Sequence, residues 1–404
     1  MSPTKQERAA LGQNRENLRQ HNLSTVLRLL HESGAVPRSH LTSITGLNRS
    51  TISDLVGELV SLGLAVESEA ITGGGVGRPS LMVAPSQNVV AFSVNPDIDA
   101  TTVGLVAFDG KVLQRLRYPT KLQPTAAESL QVAAKLIANL RAKLAPGTLV
   151  AGVGIVVPGQ IRVSEGVVRY APHLNWVEEP VAAMLTQQTG LPAWVDNDAT
   201  AACTAERIFG AGIGTDNLVY IHAGSGGIGG GVVVNGRQMR GATGYAGEVG
   251  HIQISSSKQR DYSGLEGTLE ALVKRDDLLE LFKIDNATDE ELEIEIIKNK
   301  DPKAHKALMQ QISDLGRAIG VLATIFNPQS VVLGGFLGSL FRFDGEHMIN
   351  STHQSSLKSA QDGLLIKASQ LGTAAVIVGA AELPFSVILA NPANAKLTKI
   401  PAKR

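Results

Sequence analysis

The sequence predicts an α/β protein in two parts: an N-terminal winged helix-turn-helix over residues 1–85, then a larger two-lobed body over residues 86–404. Three observations predict it. Two short amphipathic helices separated by Gly46 lead into a strand, a glycine loop and a second strand. After Pro85 the texture changes to short apolar strands alternating with amphipathic helices. The composition, 43% apolar with 42 glycines in 404 residues, suits a sizeable α/β core.

The head comes first along the chain. Residues 15–33 carry Leu18, Val26, Leu27 and Leu30 at helical spacing, and Gly34 stops the helix. A short helix follows Pro37, with Leu41 and Ile44 turned inward, and Gly46 breaks it. The next helix places Ile52, Leu55, Val56, Leu59 and Leu62 on one face, and Asn48 or Ser50 caps its start. Its first turn presents Arg49, Ser50, Thr51 and Ser53, short polar groups and one arginine that suit base edges and phosphates. A plain helical bundle is the bland alternative. The stretch AVESEAITGGGVGRPSLMVAP tips the balance, because strand, glycine loop and strand make a wing. Arg78, held between Gly77 and Pro79, forms a slim tip suited to a minor groove. GGGVG on its own is also linker-like.

Charge and cysteine content bound the partners. The net charge is zero, so the whole-chain balance gives no sign of nucleic acid. Residues 1–50 hold Lys5, Arg8, Arg15, Arg19, Arg28, Arg38 and Arg49 against Glu7, Glu16 and Glu32, a local excess of four positive charges. The single cysteine, Cys203, excludes an intrachain disulfide and any multi-thiolate metal site. The N-terminus is polar, without the apolar segment of a secretory signal. No run reads as apolar enough to span a bilayer, so the expected location is the cytoplasm, with no membrane partner.

In the body, VVAFSV, TVGLVAF, LVAGVGIVV, PAWVD, NLVYIHAG, GGGVVV and SVVLGG read as strands. AAESLQVAAKLIANLRAKL and PVAAMLTQQTG read as helices between them. The first hairpin raises a question at its turn. A phosphate-binding turn needs glycines that offer backbone N–H groups, but the chain has Asn95-Pro96-Asp97-Ile98-Asp99. Proline gives no N–H and the carboxylates repel phosphate. Pro158-Gly159 closes a later strand and alone reads as an ordinary turn. Asn197-Asp198 ends a strand and opens a helix. Asp198 is either a helix cap or, beside the amide, a group for sugar hydroxyls and a general base. Gly224–Gly231 holds six glycines in eight residues, fit for a phosphate cradle or a tight hairpin. Glu248, His251 and Glu270 suit a polyol better than zinc, which wants more nitrogen or sulfur ligands. The segment 286–306 is densely charged and reads as a solvated helical insertion.

Together these stretches resemble the ROK family (repressors, open reading frames and sugar kinases), over about residues 15–390. GATGYAGEVGHI is similar to the family signature, and VDNDATAA and VVLGGFLG match other family segments. The winged helix places the chain with the repressor branch. The resemblance implies an actin-like, sugar-kinase-like body, with one lobe over about 86–200 plus a C-terminal helix near 370–392, and the other over about 201–369. It implies sugar contacts at Asn197, Asp198, Glu248, His251 and Glu270, with Gly159 nearby. In kinases of the family the aspartate matching Asp198 is the catalytic base. Two departures stand out. The altered turn at 95–99 predicts no useful kinase activity, hence no catalytic residues. The three cysteines that bind the family's structural zinc with the signature histidine correspond to Asp261, Ser263 and Thr268, so no zinc or other cofactor is expected. The reading is a sugar-responsive regulator, a repressor, that binds a pseudo-palindromic operator as a homodimer or dimer of dimers. Its rivals are a sugar kinase with a DNA-binding head and a regulator answering to a protein partner. The carboxylates favour a neutral or N-acetylated sugar, unless a basic residue folds into the cleft.

Overall fold

A computed structural model describes residues 15–69, 81–98, 100–120, 123–224, 226–284 and 287–402. The head contains α1 (Arg15–Ser33), β1 (Val36–Pro37), α2 (Arg38–Thr45), α3 (Arg49–Ser61), β2 (Ala65–Ser68) and β3 (Met82–Pro85). Gly46 caps α2 at φ 68°, a left-handed conformation that glycine adopts without a Cβ clash. Asn48 caps α3 by accepting the Thr51 N–H at 2.8 Å. Val26, Leu27 and Leu30 of α1 meet Leu41 and the buried face Ile52, Leu55, Val56 and Leu59. Two expectations fail at the edges. Leu18 and Ile44 are each about half exposed, because both lie in terminal turns that run past the packed face. Leu62 is half-buried. β2 and β3 pair antiparallel, and β1 lies on the other side of β3. These strands form the base of a wing. Its tip, including Arg78, lies outside the described residues.

The body opens with β4 (Val89–Pro96), β5 (Ala100–Ala107) and β6 (Val112–Pro119), then α4 (Ala126–Arg141) and β7 (Leu149–Val157). A small sheet of β8 (Gln160–Arg162), β9 (Val167–Ala171) and β10 (Trp176–Glu179) precedes α5 (Val181–Thr189), β11 (Ala193–Asn197) and α6 (Asp198–Phe209). The first large sheet has the order β11-β7-β4-β5-β6. The chain continues through β12 (Leu218–Gly224), β13 (Gly227–Val234), β14 (Arg237–Gln238), α7 (Leu269–Leu272), α8 (Arg275–Phe282), α9 (Asp289–Lys298) and α10 (Pro302–Phe326). It closes with β15 (Ser330–Gly335), α11 (Phe336–Gln354), β16 (Leu365–Ala368), α12 (Ala375–Ala390) and β17 (Thr398–Lys399), which pairs with β7. The second large sheet has the order β14-β13-β12-β15-β16.

Two helices fill the space between the large sheets. α12 packs on β4 and β7, α6 packs on β13 and β12, and the helices pack on each other. Small residues make the fit. A Cβ on Gly154 of β7 would sit 1.7 Å from the Ala380 carbonyl oxygen, and one on Gly379 would sit 2.2 Å from that of Ala201. Cys203 is buried against Gly231, where a Cβ would lie 2.4 Å away. The stretch Gly372–Ala390 is long and apolar enough to cross a membrane, contrary to the expectation of no such run, with mean hydropathy 1.9. Its apolarity follows from burial: 61% of it is buried in the protein.

The charged segment 286–306 also departs from expectation. Leu292 and Ile296 of α9 are fully buried and α9 packs on α11, so it is no solvated insertion. Its many carboxylates hid two well-placed apolar positions. Head and body share one hydrophobic core. Leu23, Leu27 and Val83 of the head cluster with Phe108, Ala205, Phe385 and Leu389 of the body. His31 of α1 meets Glu382 of α12 at 3.0 Å, both buried, beside Phe108 at 4.6 Å between ring centres. Ser24 donates to the Leu389 carbonyl, and Arg207 at the end of α6 pairs with Glu32 at 2.9 Å.

Candidate functional site

One cleft collects side chains from the ends of both large sheets. It is lined by Asn95, Asp97, Gly159, Asn197, Asp198, His222, Gly227, Glu248, His251, Tyr262, Glu270 and Val376. All six residues expected around a sugar therefore converge, although 111 positions separate Gly159 from Glu270. Asn197 rather than Asp198 caps α6: its Oδ1 accepts the Thr200 N–H at 3.0 Å. Its Nδ2 donates to the Gly159 carbonyl at 3.1 Å, tying two strand ends together. Gly159 has φ 143°, and a Cβ there would lie 2.4 Å from the Tyr170 carbonyl oxygen. Asp198 accepts the Ala199 N–H at 2.8 Å and keeps a carboxylate oxygen for a ligand.

The glycines at 224–231 form a tight hairpin, most of them inside β13 itself. Their small size lets other walls approach. A Cβ on Gly227 would lie 2.2 Å from Glu270 Oε2, which accepts the Ile228 N–H at 2.7 Å. The loss of water raises all three carboxyl groups. Burial pushes Asp198 above the ordinary carboxylate range, with nearby Asp196 adding to it. Burial also raises Glu248, helped by the charges of Asp198 and Glu270, and it raises Glu270.

His251 sits in a short 3-10 turn after Glu248 and is held from both sides. Its Nδ1 lies 2.9 Å from Asp261 Oδ2, and its Nε2 lies 3.2 Å from the Tyr262 hydroxyl. Asp261 also accepts from the Ser263 N–H and hydroxyl, the Leu265 N–H and the Thr268 hydroxyl, all within 3.0 Å. Burial alone would raise Asp261, but bonds from Ser263, His251 and Thr268 outweigh it and hold the carboxyl at about 2. This knot is built from the residues that the family resemblance sets against zinc-binding thiolates. The donor set does not fit zinc: one imidazole, two hydroxyls and a carboxylate whose oxygens are already saturated with hydrogen bonds.

Behind the cleft, Arg240 forks onto Asp196 at 3.0 and 2.7 Å. Asp196 ends a strand of the first sheet and Arg240 follows the last strand of the second hairpin, so the pair clasps the two lobes. Sequence reasoning missed this clasp, along with Tyr262 and His222, and it read Asn95 and Asp97 as an altered phosphate turn, not as part of the sugar-contact set. Tyr262 had a signal, an aromatic inside a loop of small polar residues. Arg240 had none, because its partner is 44 positions away.

On the head, Arg49 and Ser50 are exposed at the start of α3, while Thr51 and Ser53 are half-buried. The Ser50 hydroxyl donates to Asn48 at 2.7 Å. Ser53 accepts from Arg38 at 3.1 Å, and Arg38 is itself paired with Glu67 of the wing base. Thus Ser53 helps join α2, α3 and the wing, a role its position alone did not reveal.

A winged-helix head fixed to a two-lobed α/β body with a carboxylate-lined cleft defines a transcription regulator built on a sugar-kinase-like body. The relatives agree with that class. The chain belongs to the ROK family, whose model matches residues 94–385. It is 28% identical over 396 residues to the xylose repressor of Caldicellulosiruptor bescii, covering 93% of this chain and 98% of that one. A solved ROK family transcriptional regulator, a homolog of the E. coli MLC protein, superposes with TM-score 0.74 at 24% identity, over 92% of this chain and 97% of that one. A ROK glucokinase from Streptomyces griseus, solved with glucose and AMPPNP, matches with TM-score 0.58 at 27% identity, over 73% of this chain and 98% of its own.

Proposed function

We propose that the chain is a sugar-responsive transcriptional repressor, acting on operator DNA as a homodimer or dimer of dimers in the cytoplasm. The observation that carries this is the cleft itself. Asn197, Asp198, Glu248, His251 and Glu270 surround one space beside Gly159, and α6 and α12 run from its rim to the head. Carboxylates accept hydroxyl protons, the amide both donates and accepts, and Tyr262 offers a ring face, so a sugar finds every contact it needs. A sugar that prefers one arrangement of the lobes shifts DNA affinity by that preference and no more. Arg49, Ser50, Thr51 and Ser53 are assigned to the operator, with Arg78 at the wing.

The test is a thermal-shift screen of the intact protein against neutral, N-acetylated and phosphorylated sugars, beside Glu248→Gln. A binding sugar raises the wild-type melting temperature, by roughly 2.7 kcal/mol of stabilisation at a hundred times Kd, and fails to do so in the variant. Fluorescence anisotropy with operator DNA then gives tight binding that Arg49→Ala weakens, and the sugar changes it. No sugar shifting the melting temperature would sink the reading and favour a protein partner.

The kinase reading keeps one observation in its favour, the recessed Asp198 carboxyl beside a glycine hairpin. Against it, Asp97 faces the cleft and Pro96 has no N–H for a phosphate. Phosphoryl transfer depends on such positioning and charge stabilisation. A coupled ATP assay over the same sugars is expected to show no turnover, and steady turnover would reinstate the enzyme.

A further inference from the structure

The cleft does not end at Tyr262. Beyond that ring lies a second chamber of about 230 Å³, against about 80 Å³ for the carboxylate pocket. Gly224, Gly227, Ile228, Tyr262 and Glu270 wall both, so one ligand can reach into both. Sites for small molecules usually exceed roughly 300 Å³. The carboxylate pocket alone falls well short of that size, and the two chambers together reach it. The second chamber also touches both lobes. His173 comes from the turn between β9 and β10, residues 273–276 from the junction of α7 and α8, and Phe336 from the first residue of α11.

Its charges balance: Arg260, Lys274 and Arg275 are matched by Asp261, Glu270 and Asp276. Most are already engaged. Arg260 is paired with Glu266 at 3.0 Å and Arg275 with Asp289 at 3.4 Å. Asp261 spends its oxygens on its own loop, and Glu270 accepts the Ile228 N–H. The Lys274 ammonium and the Asp276 carboxylate have no hydrogen bond or ion pair among the described residues, which leaves one donor group and one acceptor group. His173 Nε2 is buried without a partner, and its ring meets Tyr262 edge-on at 4.9 Å. Burial outweighs the pull of Asp276 and holds this imidazole below its ordinary range, so it adds no charge at pH 7. Ile228, Val273, Phe336 and the Tyr262 ring supply the apolar part of the wall.

We propose that the effector is an uncharged disaccharide: one ring lies among Asn197, Asp198, Glu248 and Glu270, and the second passes Tyr262 to Lys274 and Asp276. The inference rests on the sugar reading and names the class of sugar. An apolar wall with a free donor, a free acceptor and no net charge matches a second sugar ring, whose C–H face packs on the aromatic while its hydroxyls both donate and accept. It offers no such match to an anion, which would meet as many carboxylates as cations. The chamber is the larger of the two, so a small substituent on a single ring would leave most of it to water. A second ring there would touch His173 of the first lobe and the start of α8 in the second. It would thereby add to the difference in affinity between lobe arrangements on which any response depends.

Isothermal titration of the intact protein would compare xylose with xylobiose, glucose with cellobiose and maltose, and N-acetylglucosamine with its disaccharide. Lys274→Met and Asp276→Ala are run alongside, each at a partly or fully exposed position and checked for a wild-type melting temperature. At least one disaccharide is expected to bind ten-fold or more tighter than its monosaccharide. That advantage should persist in added salt, because no ligand charge is involved, and should shrink in both variants while the monosaccharide's affinity holds. A monosaccharide that binds as tightly as every disaccharide built from it overturns the inference and leaves the sugar reading standing. So does a disaccharide advantage untouched by both substitutions. Silence from every sugar overturns both readings.

Discussion

Glu248 and Asp261 are carboxylates pushed in opposite directions, and each has a measurable consequence. Glu248, like Asp198 and Glu270, is raised by burial, so the native state holds its protons more tightly than the unfolded chain. Stability then falls as pH rises from the ordinary carboxylate range near 4 through the raised values. Glu248→Gln removes one such charge. At pH 7 its ligand-free melting temperature should exceed that of the wild type by a few degrees, measured by calorimetry, and the gap should close toward pH 4. A variant that melts lower at pH 7 would contradict the burial argument. Asp261 shows the reverse sign. Its contribution is full above about 4 and is lost as pH falls toward 2. Asp261→Ala strands the Thr268 hydroxyl and two backbone donors, at a cost of about 3 kcal/mol in urea unfolding. Chelator treatment of the wild type should leave its melting temperature unchanged, and a drop would restore a metal to this loop. The family resemblance singled out Asp261, Ser263 and Thr268 but did not reveal that a single aspartate gathers the others. That depends on a loop conformation that local spacing does not encode.

The helices α6 and α12 link the cleft to the head. α6 begins at Asp198 and ends beside Arg207, which holds Glu32. α12 begins near Val376 on the cleft wall and ends where Leu389 meets Ser24. Their contact is too close for larger side chains. Gly379→Val should therefore destabilise by about 1–3 kcal/mol or more, read from the denaturation midpoint, and should also weaken the effect of sugar on DNA binding. Unchanged stability would mean the helices yield more than their spacing suggests. The Asp196–Arg240 clasp makes a second test. Arg240→Lys keeps the charge but loses the fork, so sugar affinity should fall several-fold while the fold persists. Strands and helices of the body were legible because each carries its own apolar period. Ile44 and α9 misled for a related reason: period shows which face is apolar, not where the neighbouring wall ends.

Head and body make one cooperative object. Because α1 shares a core with β4, α6 and α12, calorimetry should show a single unfolding transition instead of two. A separate low-temperature transition for the head would refute this. The change in texture after Pro85 coincides with the end of β3. The shared core was not visible in the sequence, since His31 and Glu382 lie 351 positions apart. The cleft residues were legible as motifs, but the Asp196–Arg240 clasp behind them was not, because only the fold brings the two together.

The burial of α1 against Phe385, Ile388 and Leu389 also orders events during synthesis. The head is translated well before its innermost partners, since His31 precedes Glu382 by 351 positions. A truncated or stalled chain therefore exposes an apolar face of α1 and lacks a finished head. Only a chain translated as far as α12 can seat α1, so shorter fragments carry an unburied apolar face on the head.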